Sequence, residues 1–71
     1  MKYAVVIERG TSGYGASVPD LPGCVAAADS REEVERLIEA AITLHIAGMR
    51  EDGLAVPPPR TQVAVIEVPG E

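Results

Sequence analysis

Cys24 and His45 are the side chains of this sequence best suited to nucleophilic or general-base work, and there is one of each type. A thiol nucleophile needs a base beside it, and the common zinc sites need several Cys or His ligands. A single cysteine also excludes an intramolecular disulfide. Cys24 therefore reads as a small buried apolar side chain, the usual state of a free cysteine. His45 shares a helical stripe with Ala41, Leu44 and Gly48, and reads as a partly buried structural histidine. Gly10, Gly13 and Gly15 do not make a phosphate loop, because no helix follows whose N-terminus could receive an anion. They serve a hairpin.

The most specific wording lies elsewhere, in Val18-Pro19-Asp20-Leu21-Pro22-Gly23-Cys24. Prolines cannot donate to a β-ladder, so Pro19 to Gly23 lies outside regular pairing or on an edge. Two readings stand. The run is a stiff turn, or it is a pre-set, exposed shape that presents Asp20, Leu21 and Pro22 to a partner at low entropic cost. Pro57-Pro58-Pro59 either extends the same rim or returns the chain to the sheet.

The elements that position these residues follow from periodicity. Residues 2–8 read as a strand, with Tyr3, Val5 and Ile7 on one face and Ala4 and Val6 on the other. Tyr14 to Val18 and Cys24 to Ala28 read as the second and third strands. Ser30 followed by Glu33 is a capping box, and Asp29, Glu32 and Glu33 sit where the helix dipole favours anions. Val34, Leu37, Ile38, Ala41, Leu44, His45 and Gly48 form the expected inward stripe, widened by Ile42, Ile46 and Met49. Gly53 stops the helix and the three prolines prevent its resumption. Gln62 to Val68 reads as a final strand, apolar on both faces. The order is β-β-β-α-β: an α+β fold with an antiparallel three-stranded meander, one helix on one sheet face, and a fourth strand parallel to strand one.

Composition bounds the rest. A chain of 71 residues makes one small domain that buries about 60% of its unfolded surface. Its core lacks Phe and Trp and has Tyr3 and Tyr14 as its aromatics. The helix covers one sheet face, which leaves apolar residues on the other and predicts self-association as a dimer or tetramer. Eleven acids against six bases give a net charge of −5. That balance argues against direct nucleic-acid binding and fits either a basic protein partner or simple solubility. No export signal or membrane-spanning run is present, and the lone cysteine fits a reducing compartment; the chain reads as cytoplasmic.

Tyr14, the Val18–Cys24 run, the Asp29-Ser30-x-x-Glu33 helix start and the Gly53…Pro57-x-Pro59 close resemble the HicB-like antitoxin family over roughly residues 2–68. The resemblance implies a partial RNase H-like fold. It also implies a role: binding a small, basic, mRNA-cleaving HicA-type toxin and masking its catalytic histidine. The family's Gly-Asp-Thr before the helix is here Ala28-Asp29-Ser30, in which Ser replaces Thr as a cap. Many relatives carry a C-terminal DNA-binding domain; none follows Val68 here, so residues 1–71 are expected to be a single HicB-like domain.

On that resemblance, Glu8, Asp20 and Glu67, with Leu21 and Pro22, are the expected partner-binding residues, while Ser30, Glu33, Gly23 and Gly53 are structural. No cofactor or metal is expected, and the chain is expected not to be an enzyme. Two alternatives stand beside the antitoxin reading. One is a homo-oligomeric module without a toxin partner. The other is a residual RNase H-like metal nuclease using Glu8, Glu35, Glu39 and Glu67, which would need those acids to converge on one point.

Overall fold

The computed structural model describes residues 1–70. Its sheet is an antiparallel meander of β1 (Val6–Arg9), β2 (Tyr14–Ser17) and β3 (Val25–Ala28), followed by α1 (Arg31–Glu51). Val6 pairs with Ser17 and Ser17 with Val25, while Ile7 pairs with Ala16 and Ala16 with Ala26. The α+β class and the three-stranded meander are as the periodicity predicts. Strand one is shorter than residues 2–8, because β2 ends at Ser17 before Pro19 and so offers nothing for residues 2–5 to pair with. The β1–β2 turn is closed by the Gly10 N–H donating to the Gly13 carbonyl at 2.8 Å. A Cβ on Gly13 would lie 2.6 Å from the Ala28 carbonyl oxygen, so this close approach requires glycine.

Both ends of α1 are closed by residues the sequence provides, the first through side chains and the second through the backbone. The Ser30 hydroxyl accepts from the Glu33 N–H at 3.2 Å, and the Glu33 carboxylate reaches back to the Asp29 N–H at 3.3 Å. The return bond thus lands one residue before the cap itself. At the other end Gly53 takes φ +72°. Its N–H donates to Arg50, and the Leu54 N–H donates to Met49 at 2.8 Å. This pair of bonds is a Schellman close, which satisfies carbonyls that the helix leaves open.

The core consists of Ala16, Val18, Leu21, Cys24, Val34 and Ile38. Tyr3, Val5, Ile7, Tyr14, Ala26, Ala28, Ala41, Ile42 and Ile46 are packed against it. The helix packs mainly over β2 and β3, and its inward row is Val34, Ile38, Ile42 and Ile46, one residue every fourth position. Leu37 and Leu44 therefore turn outward, and Leu44 is 74% exposed. They leave the expected stripe because the i+4 row, rather than the i+3 row, faces the sheet. The uncovered sheet face carries Val6, Glu8, Gly15, Ser17, Val25 and Ala27, with Val6 and Val25 exposed. It is less apolar than expected, because small residues occupy half of it.

The expected fourth strand is not formed. Residues 62–68 pair with no strand among the described residues, and Val65 and Ile66 are 97% and 78% exposed. Alternation makes a segment competent to be a strand, but pairing also needs an edge within reach. The molecule is correspondingly long, 50 × 26 × 16 Å with a radius of gyration of 14.1 Å, against about 11 Å for a compact chain of this length. No helix among the described residues is long and apolar enough to cross a membrane.

Candidate functional site

The Pro-Asp-Leu-Pro-Gly run forms two consecutive turns. The Leu21 N–H donates to the Val18 carbonyl and the Cys24 N–H to the Leu21 carbonyl, each at 3.0 Å, and the Val18 N–H closes the base onto Cys24 at 3.2 Å. Each turn has proline at its second position, where a fixed φ is already correct. In the second turn Gly23 follows Pro22 with φ +86°, as a type II turn demands. Leu21 is the shared corner of the two turns, and its side chain is 0% exposed. Leu21 is thus a peg into the core, and the expectation that it is displayed to a partner is corrected. The double turn points the corner residue inward while Pro19 and Pro22 stay outside.

Asp20 is also occupied. One carboxylate oxygen accepts from the Arg60 N–H at 2.8 Å and the Thr61 N–H at 2.9 Å, and the other accepts from the Thr61 hydroxyl at 2.8 Å. The Thr61 N–H first, then the Arg60 N–H and the Thr61 hydroxyl, hold the carboxyl below its ordinary value of 3.8. Asp20 therefore clamps the segment that follows the helix. A second fastener, the Tyr3 hydroxyl donating to the Pro57 carbonyl at 2.6 Å, ties the same segment to the start of the chain. Neither contact has a local sequence signal, since the partners lie 40 or more positions apart. The outward hint is that a carboxylate placed among prolines has two acceptor oxygens to satisfy.

The remaining candidates are dispersed. Glu8 is exposed on β1 and Glu67 is exposed in the 62–68 segment. Glu35 is engaged with Arg31 at 3.1 Å on the helix surface. No group of three or more His, Cys, Asp or Glu among the described residues is placed to hold a metal ion. The four acids of the nuclease alternative are thus not brought together. Cys24 is buried and burial pushes its thiol up, away from the reactive thiolate. His45 is half-buried on α1.

Among the described residues, two partly apolar surfaces involve the helix. One is the outer flank of α1, where Leu37 and Leu44 are exposed beside acids of the same helix. The other is a nearly apolar slot of about 200 Å³ between β1 and α1, lined by Val5, Ile7, Ile38 and Ile42 with Glu35 and Glu39 at its rim. The slot exists because the helix lies over β2 and β3 and leaves the β1 side of the sheet open.

Residues 3–70 match the family described as the HicB-like antitoxin of bacterial toxin–antitoxin systems. An uncharacterized 14.9 kDa protein of Haemophilus phage HP1 is 44% identical over 57 residues, covering 80% of this chain and 43% of that protein. Antitoxin HicB 2 of Photorhabdus laumondii is 31% identical over 70 residues, covering 97% of this chain and 50% of the relative. The chain thus spans about half the length of these two relatives. Among solved structures, a chain of a HicA3 and HicB3 toxin–antitoxin complex superposes with a TM-score of 0.72 at 27% identity, over 83% of this chain and 70% of that one. A family match that runs from the first strand through the segment after the helix, on the same strand–helix architecture, places this chain in the HicB-like antitoxin family.

Proposed function

We propose that this chain is the toxin-binding module of an antitoxin, and that it neutralises a HicA-like, mRNA-cleaving toxin by direct protein–protein contact, without catalysis of its own. The observation that carries the reading is the fold-wide similarity to a chain of a HicA3 and HicB3 complex. The net charge of −5 supports a basic partner and disfavours direct RNA or DNA binding. Glu8, Glu67 and, on the loop rim, Pro22 are the candidate contacts that the fold leaves exposed. Asp20 and Leu21 act indirectly, by holding that rim in shape. A cytoplasmic location, where such a toxin meets mRNA, belongs to the same proposal.

Co-expression with the small basic HicA-like protein of the same genome tests it. The expected result is a co-purifying complex and restored growth; free toxin and continued arrest would overturn it. A second reading, self-association of this chain, is favoured by the exposed apolar residues at 62–68. The fourth strand of a partial RNase H-like sheet belongs with that reading, since the segment competent to supply it lies outside the chain's own sheet.

A further inference from the structure

We infer that two copies of this chain join edge to edge through β3, so that their sheets run on as one and their helices pack side by side over the seam. Two unpartnered features on the same side of the molecule carry the inference. The first is the β3 edge. β3 lies at the end of the sheet opposite β1 and reads Val25-Ala26-Ala27-Ala28, with no charge and no proline to deter pairing. The second is the flank of α1 above it. Glu35 and Glu39 of the helix face the β1 side. Leu37 and Ala41 therefore lie on the β3 side, where Leu37 is 45% exposed.

The backbone of β3 suits a two-fold contact. The Val18 N–H donates to the Cys24 carbonyl at 3.2 Å, and the same alternation along the ladder turns Ala26 and Ala28 toward β2. Their carbonyl oxygens accordingly lie beside Gly15 and Gly13. Val25 and Ala27 aim their N–H and C=O groups at the open edge, where no strand among the described residues pairs with them. With Ala26 on the axis, antiparallel pairing lets Val25 of one copy and Ala27 of the other bond in both directions, and the two-fold repeats the pair. On the uncovered face this sets each exposed Val25 beside a small Ala27. Under the helices it sets Ala26 against Ala26, which needs little room.

The helices reach contact at the same spacing. α1 packs over β2 and β3, so its axis lies about half a strand spacing inside β3. Strands about 4.8 Å apart then bring the two helix axes to about 10 Å, a normal distance for packed helices. Position along the seam agrees as well. The short link through Asp29 and Ser30 turns the chain back, so α1 runs antiparallel to β3. Ala26 lies about 7 Å before the end of β3 and Leu37 about 9 Å into α1, which stacks Leu37 over the axis. The two-fold thus brings Leu37 of one copy against Leu37 of the other, and the small Ala40 and Ala41 beside it leave space for close approach. A contact made from the same patch on both copies is self-complementary and closes as a pair.

The inference rests on the self-association reading above and uses a surface separate from residues 62–68. The test treats the full chain carrying Leu37→Cys with a short bis-maleimide and follows assembly by native mass. Cys24 is buried and stays out of the reaction. The expected result is an oligomer by native mass and a cross-link joining two chains at position 37. Adding Ala27→Pro removes an outward N–H and no bond within the sheet, and should cut the cross-link yield about tenfold or more. Leu37→Glu alone should raise the Kd of the contact by about tenfold or more. Because Leu37 is exposed in the single chain, that change should leave the helical circular dichroism intact. Ile66→Asp should leave the cross-link at position 37 in place. An oligomer without that cross-link would overturn the β3 contact while self-association stands. A cross-link that survives Ala27→Pro, or is lost with Ile66→Asp, would overturn it too, as would a Kd unmoved by Leu37→Glu. A strict monomer would overturn self-association and the β3 contact together. Growth rescue by the toxin assay reads neither arm, so toxin binding fails or stands separately.

Discussion

At the scale of single residues, the side chains of the Pro-Asp-Leu-Pro-Gly run divide by direction, and the division sets what each substitution does. Leu21 fills the core between two turns. Leu21→Ala should therefore cost about 2–5 kcal/mol, a large share of the stability of so small a domain, read as a lower urea midpoint with the helix start unaltered. Asp20→Ala removes three hydrogen bonds at once. It should speed amide exchange at Arg60 and Thr61 while leaving exchange in α1 unchanged. Because the folded-state carboxyl is held below 3.8, its stabilising bonds are fully present above that value. They are lost only as pH falls through the lower folded-state value. A carbon-detected titration should place the Asp20 midpoint below 3.8; a midpoint at or above it would mean that the clamp is absent in solution. The sequence made this run stand out, but its purpose was not legible there. Turn chemistry reads locally, whereas a peg and a clamp depend on what lies across the fold.

At the scale of elements, local chemistry was the most legible. Ser30, Glu33 and Gly53 mark the helix ends in sequence, and in the structure the same residues make the capping bonds. Gly53→Ala should cost about 1–2 kcal/mol, because an L-side chain at φ +72° meets its own carbonyl; thermal unfolding checks this. The helix stripe was legible in its period but not in its rotation. Leu37 and Leu44 match the apolar spacing as well as Ile42 and Ile46 do, and the crossing of α1 over β2 and β3 decides which pair is buried. The same limit explains the fourth strand. The alternation of residues 62–68 states that they suit a sheet, and nothing in a single sequence states which edge receives them.

At the scale of the whole molecule, the balance between inside and outside is the informative quantity. Six residues form the buried core, while Val63, Val65, Ile66 and Val68 stand in solvent together with Leu37 and Leu44. Each Val or Ile covered by a partner contributes about 1.5–3 kcal/mol, so association can rival the chain's own core in driving the fold. The acidic surface adds a preference for a basic partner, and because exposed charges are screened, toxin binding should weaken as salt rises. The family and its strand–helix architecture were legible from the loop, the cap and the proline-rich close, since these are local constraints spread along the chain. The proposed binding surface was not, because it is made of what the fold leaves uncovered. The most direct test of the antitoxin reading is an RNA-cleavage assay with the purified HicA-like toxin of the same genome, titrated with this chain. Cleavage should fall to background near one equivalent of chain per toxin, and undiminished cleavage at a large excess of folded chain would contradict the account.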